Sequence, residues 1–178
     1  MSLWKKLSLS TLYCVGLLFA SSSQAALKEG DFAPSFRLND QHQQTVSLDE
    51  QRGKWVVLYF YPKNDTPGCT TEACSFRDNI NQIIAQQAVI LGVSVDSSAS
   101  HREFAEKYKL PFSLLADEKA EVAAQYDAVL NLGVIKFARR HSFIINPEGK
   151  IARIYRNVDP QQHVAEILSD LQRLQQAQ

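Results

Sequence analysis

Two thiols stand in the stretch from Pro62 to Cys74, Pro-Lys-Asn-Asp-Thr-Pro-Gly-Cys-Thr-Thr-Glu-Ala-Cys, and their settings differ. Trp55 to Tyr61 is an unbroken apolar and aromatic run of strand length, and Pro62 with Pro67-Gly68 ends it in a turn. Cys69 therefore falls where a helix should begin, with that helix expected from about Cys69 to Gln87. Unpaired N–H groups and the helix dipole stabilise an anion at such a position, so a thiol placed there is biased towards the nucleophilic thiolate. Cys74 lies deeper in the same expected helix. This asymmetry suits redox chemistry at sulfur, in which one thiol reacts first.

Two cysteines in an oxidising compartment ordinarily form a structural disulfide, but here the spacing opposes it. Helical residues five apart are displaced by roughly 7.5 Å along the axis and rotated by about 140°, beyond the roughly 7 Å Cα separation that a disulfide tolerates. Cys69 and Cys74 can pair only if the helix unwinds locally. That is a poor arrangement for a staple and a workable one for a switch.

Pro62, Thr66 and Cys69 follow the spacing Pro-x-x-x-Thr-x-x-Cys, inside the longer stretch Tyr-Phe-Tyr-Pro…Thr-Pro-Gly-Cys-Thr-Thr-Glu-Ala-Cys…Arg-Asp. This stretch resembles the peroxiredoxin Q branch, also called bacterioferritin comigratory proteins, and the similarity extends from about Leu27 to the C-terminal helix. The resemblance implies an α/β thioredoxin-like fold with a peroxiredoxin-type N-terminal hairpin and a central insertion. It also implies a thiol-dependent peroxidase acting on hydrogen peroxide and small organic hydroperoxides. Cys69 would become a sulfenic acid, Cys74 would resolve it as an intramolecular disulfide, and an external dithiol such as a thioredoxin-like protein would reduce that disulfide. A monomer is what the family implies.

The family's active-site arginine falls on Arg140, because Arg140-His141-Ser142-Phe143-Ile144-Ile145 resembles its Arg-x-Ser-Phe-Leu-Ile segment; Arg139 is the adjacent alternative. A fixed guanidinium near Cys69 would favour the thiolate and polarise the O–O bond as charge develops on the leaving oxygen. Thr66 is placed either to hydrogen-bond the sulfur or a peroxide oxygen, or to cap the helix. Pro62 would shape the strand end and shield the thiolate. Glu72 would either orient the arginine or complement the dipole in the first helical turn. His42, His101, His141 and His163 are scattered and read as surface or hydrogen-bonded residues, and Phe60, Tyr61 and Phe76 as core and pocket wall. The chain has no glycine-rich phosphate loop and no zinc cysteine pattern, so neither cofactor nor metal is expected.

Lys5 and Lys6, the apolar stretch Leu7 to Ala20, and Ser23-Gln24-Ala25 have the order of a secretory signal, with cleavage expected after Ala25. The apolar part is shorter than the roughly 20 residues that span a bilayer, so no stable membrane association is expected after cleavage. Tyr13 precedes Cys14 where a lipoprotein signal needs a small residue, which argues against lipidation. The reading is a signal peptide over 1–25, a single domain over 26–178, and a location in the bacterial periplasm. Without the two lysines of the signal, 17 basic residues face 19 acidic ones, a balance that suggests no nucleic-acid partner.

The remaining elements follow from pattern. Phe36 to Leu38 and Val46 to Leu48 form a hairpin, and Ala88 to Val95 a parallel neighbour of the first central strand. Ser100 with Glu103 makes a capping box for a helix ending before Pro111, followed by a strand over Phe112 to Leu115 and a helix over Asp117 to Tyr126. Asn131 to Ala138 reads as a loop bordering the site. Ser142 to Ile145 and Ile151 to Tyr155 flank a tight turn, and Asp159-Pro160 opens a last helix with Val164, Ile167, Leu168, Leu171 and Leu174 on one face. Two other functions use related residues. An exported thiol-disulfide oxidoreductase would need Cys-x-x-Cys, and a copper-binding assembly factor on the same fold usually has three residues between its cysteines; the spacing here is four.

Overall fold

A computed structural model describes residues 26–133 and 135–177. Residues 1–25, read from the sequence as a signal peptide and including Cys14, lie outside the described residues. At the centre is β3 (Trp55–Phe60), buried along its whole length. Trp55, Val57 and Tyr59 join one apolar cluster with Phe76, Phe104 and Ile167, while Val56, Leu58 and Phe60 join another with Tyr126 and Phe143. Burial on both faces is why this strand is a continuous apolar run without alternation.

Parallel to β3 runs β4 (Ala88–Ser94), then β5 (Ser113–Ala116). On its other side β8 (Ser142–Ile145) and β9 (Ile151–Tyr155) add antiparallel strands, joined by a turn whose Gly149 takes φ +80°. The N-terminal hairpin of β1 (Arg37–Asp40) and β2 (Thr45–Ser47) extends the sheet beyond β5, giving the order β2-β1-β5-β4-β3-β8-β9. Asn131 to Ala138 is not a loop throughout. β6 (Val129–Asn131) and β7 (Lys136–Ala138) pair there as a small separate hairpin. Three-residue strands with little burial carry too short a pattern to be read in advance.

The helix expected over Cys69 to Gln87 is two helices, α1 (Pro67–Asp78) and α2 (Ile80–Ala85). The break is at Asn79, whose side-chain amide donates to the Ser75 carbonyl at 2.9 Å, a local bond that competes with the helical pattern. At the other end the helix starts two residues early. Pro67 occupies its first position, where a fixed φ and a missing N–H do no harm, and Thr66 is the extended N-cap residue. α3 (Ser98–Tyr108) is capped by Ser97, whose hydroxyl accepts from the Ser100 N–H at 3.3 Å, so the Ser100–Glu103 capping box does not form.

α4 (Glu121–Gln125) is shorter than expected because the Asp117 carboxylate accepts from the N–H groups of Glu121, Val122 and Ala123 and starts the helix beyond itself. α5 (His163–Gln176) begins after the Asp159-Pro160 turn, with the Asp159 carbonyl accepting from Gln162 and His163. Val164, Ile167 and Leu171 are its buried face.

α1 is seated on the sheet by aromatic contacts. Phe76 packs on Tyr59 with ring centroids 4.8 Å apart and meets the His163 ring edge-on at 6.2 Å. The Tyr59 ring covers Gly92 of the neighbouring strand so closely that a Cβ there would lie 2.7 Å from it. Glycine is required at that point of β4 for the tyrosine to lie flat and support α1.

Candidate active site

On α1, Cys69, Glu72, Ala73 and Phe76 stand at i, i+3, i+4 and i+7 and form the buried face. Cys69 is in the first turn and 1% exposed. Arg140, from the segment between β7 and β8, reaches over it. Its Nη2 donates to Cys69 Sγ at 3.2 Å, and its Nη1 donates to Glu72 Oε2. The guanidinium crosses Gly68, where a Cβ would lie 3.2 Å from Nη2, so the missing side chain leaves room for this approach. Arg139 is exposed. Its N–H is bonded to the Ala128 carbonyl at 2.7 Å. Of the two arginines, Arg140 faces the sulfur.

Glu72 is in the second turn and fully buried, not an exposed first-turn carboxylate complementing the dipole. Burial raises its pKa to about 7, against the opposing pull of Arg140. Its Oε1 has no hydrogen-bond partner, which adds to the cost of the charge. Burial also works against the Arg140 cation, but the negative groups at Glu72 and Cys69 outweigh it and raise the arginine pKa. Behind Arg140, burial first and the arginine charge second push His163 down to about 4, so its ring is neutral and adds no second cation. His163 Nε2 lies 2.8 Å from Ser142 Oγ.

The raised Glu72 pKa has a measurable consequence. Between its ordinary value of 4.5 and about 7 the folded protein retains a proton that the unfolded chain has released. The stability contributed by this group is therefore complete below pH 4.5 and is lost as pH rises through about 7. Glu72→Gln cannot ionise and should flatten that part of the stability curve. Urea unfolding at several pH values between 4.5 and 8 checks it, and an unchanged slope in the variant would assign the pH dependence to other groups.

Thr66 does not bond the sulfur here. Its hydroxyl donates to the Lys63 carbonyl at 3.1 Å, holding the turn, and its own carbonyl accepts from Thr70 at 2.9 Å as the helix opens. It makes no side-chain cap bond. Thr66, half-buried Pro62, Leu130, Phe137 and Arg140 line a largely apolar groove of about 480 Å³, which meets the thiol through the arginine bonded to it. A groove of about 760 Å³ beside α5 has neither Arg140 nor Thr66 in its lining, so the smaller one, which includes the arginine bonded to Cys69, is where the chemistry belongs.

Cys74 is half-buried, and both cysteines are free thiols. Both lie inside α1, so the separation that forbids a disulfide in a continuous helix applies. Arg77, one turn beyond Cys74, donates from Nη1 to the Tyr108 carbonyl at 2.8 Å and ties the end of α1 to α3.

Sequence reasoning missed the depth of Glu72 and the burial of three histidines, of which His141, lying outside the helices, carries no periodic signal. For the others the signal was present in the spacing: Glu72 shares a helical face with Cys69, Ala73 and Phe76, His163 with Ile167 and Leu171, and His101 with Phe104 and Ala105.

A buried cysteine in the first turn of a helix, beneath an arginine bonded to its sulfur and on a parallel-centred sheet, is an arrangement suited to a thiol-dependent peroxidase of thioredoxin-like fold. Comparison with known proteins agrees. The AhpC/TSA family matches residues 30–154. Peroxiredoxin Bcp of Bacillus subtilis (strain 168) is 44% identical over 146 residues, covering 80% of this chain and 93% of that protein. The chloroplastic peroxiredoxin Q of Triticum aestivum is 41% identical over 150 residues, covering 83% of this chain and 68% of that one. Among solved structures, the bacterioferritin comigratory protein of Xanthomonas campestris, described for its alkyl peroxide reduction activity, superposes with a TM-score of 0.74 at 30% identity, covering 78% of this chain and 90% of that chain. The chain belongs to the AhpC/TSA family, in its peroxiredoxin Q/Bcp branch.

Proposed function

We propose that Cys69 is the peroxide-reacting thiol and Cys74 the resolving one. The observation that carries this reading is the Arg140 Nη2 to Cys69 Sγ bond of 3.2 Å, which sets a well-buried cation against the sulfur at the helix start, whereas the arginine beside Cys74, Arg77, is more exposed and lies towards the other end of α1. The Cys69 thiolate attacks the terminal oxygen of a hydroperoxide. An S–O bond forms, the O–O bond breaks, and the departing hydroxide or alkoxide takes up a proton to leave as water or alcohol. Arg140 stabilises the charge on the leaving oxygen, Glu72 holds Arg140 in place, and Pro62 and Thr66 form the rim that shields the sulfur. The Cys74 thiol then displaces water from the sulfenic acid, and an external dithiol, of which a thioredoxin-like protein is the best candidate, reduces the disulfide.

The apolar groove favours small organic hydroperoxides alongside hydrogen peroxide, because Leu130 and Phe137 offer an alkyl group a dry surface. The protein acts as a monomer in the periplasm after cleavage following Ala25. The basic, apolar and small-residue order of 1–25 supports this export reading. Peroxide consumption by purified protein with a generic dithiol, using both hydrogen peroxide and an alkyl hydroperoxide, tests the chemistry; no consumption of either overturns it. N-terminal sequencing of protein recovered from a periplasmic fraction tests the export reading, and an intact Met1 in the cytoplasm would overturn that.

Motion is required for the second step. Because α1 holds both cysteines while reduced, forming the bond must unwind part of it. Amide hydrogens between Cys69 and Arg77 should exchange faster in the disulfide form than in the reduced form, while β3 stays protected in both. Exchange followed by mass spectrometry decides it. Equal protection with a proven intramolecular bond would show that α1 need not open.

A further inference from the structure

His101 is fully buried on α3, and the chemistry above does not use it. Its Nε2 lies 3.1 Å from the Leu115 carbonyl. A carbonyl only accepts, so Nε2 carries the proton and Nδ1 is left as an acceptor. Burial lowers the His101 pKa, consistent with a neutral ring. Facing Nδ1 is Asn64, in the turn between β3 and α1. Its side-chain amide donates one hydrogen towards His101 Nδ1 at 3.2 Å and the other to Ser100 Oγ at 2.9 Å. The Asn64 carbonyl oxygen accepts from the Tyr61 hydroxyl at 2.8 Å, and its backbone N–H donates to Asp96 Oδ2 at 2.9 Å.

Asn64 is thus held at four points by groups just past β3, on α3 and just past β4, two residues before the N-cap of α1. The next residue, Asp65, takes φ +58°, a left-handed conformation that a non-glycine residue keeps only when its surroundings impose it. An exposed ion pair from Lys107 Nζ to Asp65 Oδ1 at 2.7 Å adds a second tie to α3. The turn that carries Pro62 and Thr66 to the rim, and sets the start of the helix bearing Cys69, is therefore clamped to α3.

We infer that His101, acting through Asn64, is a positioning residue for peroxide reduction: its unprotonated Nδ1 fixes the turn that sets Thr66 and Cys69 beneath Arg140. The inference rests on Cys69 being the reacting thiol. His101 touches neither sulfur nor substrate; its effect passes through the Asn64 amide, with the Tyr61 hydroxyl, itself bonded to Asn64, also 3.2 Å from Nδ1.

Two substitutions separate its two bonds. In His101→Asn the side-chain oxygen stands near the place of Nδ1 and can still accept from Asn64, while the donor to Leu115 is lost. In His101→Gln the amide nitrogen stands near the place of Nε2 and can still donate to Leu115, while the acceptor for Asn64 is lost. The full chain is mixed with hydrogen peroxide in a single turnover, and Cys69 oxidation is followed by mass. His101→Gln should slow that step by about tenfold, the equivalent of one hydrogen bond, whereas His101→Asn should stay within about twofold of the unchanged protein. Asn64→Ala, which also loses the bonds to Ser100 and Tyr61, should be slowed at least as much as His101→Gln, and adding His101→Gln to it should cost nothing more.

Equal slowing by Gln and Asn, wild-type rates in both, or full multiplication of the Asn64→Ala and His101→Gln effects would overturn the inference. Where His101→Gln does not fold, Asn64→Ala alone decides, and a wild-type rate there overturns it. Failure of the Cys69 reading would look different: the unchanged protein would itself show oxidation at another residue or none.

Discussion

Cys69→Ser should show no peroxide reduction above the uncatalysed background, whereas Cys74→Ser should consume one equivalent of peroxide and stop as a stable sulfenic acid. The serine hydroxyl keeps the size of the thiol and its place under Arg140, but it does not ionise in the accessible pH range and is a far weaker nucleophile. The loss in the first variant is therefore chemical and not structural. In the second, the arrangement of Arg140, Glu72 and Cys69 is untouched, since Cys74 is not on the buried face that those side chains share. Trapping with a dimedone-type reagent and mass analysis reads both outcomes. Labelling at Cys74 in preference to Cys69 would reverse the assignment, and label at neither would remove sulfenic acid from the reaction.

How much of this site could be read in the chain depended on how local its physics is. Cys69 was legible because a buried strand, a Pro-Gly turn and a helix start are all signalled within fifteen residues of it. The central strands were legible for a similar reason: double burial makes β3 and β4 plain apolar runs. The break at Asn79 was not, because one side-chain bond to the Ser75 carbonyl decides it and the flanking pattern remains helical. Nor was the hairpin of β6 and β7, whose strands are only three residues long and for the most part half-buried, with no clear alternation. The choice between Arg139 and Arg140 depends on a backbone bond between residues 139 and 128, and periodicity says nothing about such a pairing. Glu72 was left between orienting the arginine and complementing the dipole, and its bond to Arg140 favours the first; counting from Cys69 along the helix would have put it on the inner face.

The second large effect concerns that inner face. Arg140→Ala should slow Cys69 oxidation by about 10²- to 10³-fold, the range found when one preorganised donor to a developing charge is removed. Two losses combine in it. The sulfur loses the Nη2 bond of 3.2 Å, and the leaving oxygen loses the cation that would receive its charge. Glu72 is affected as well, because Arg140 is the group that opposes its rise; without the arginine, burial acts alone and the carboxyl is held in its protonated form further above pH 7. Arg140→Lys should recover only part of the rate, since a single ammonium group cannot serve Cys69 and Glu72 from one planar fork. Arg139→Ala should leave the rate near that of the unchanged protein, its side chain being exposed. Stopped-flow oxidation of all three variants with hydrogen peroxide makes the comparison. An unimpaired Arg140→Ala would remove the arginine from the chemistry, and a slow Arg139→Ala beside it would transfer the role to the neighbour.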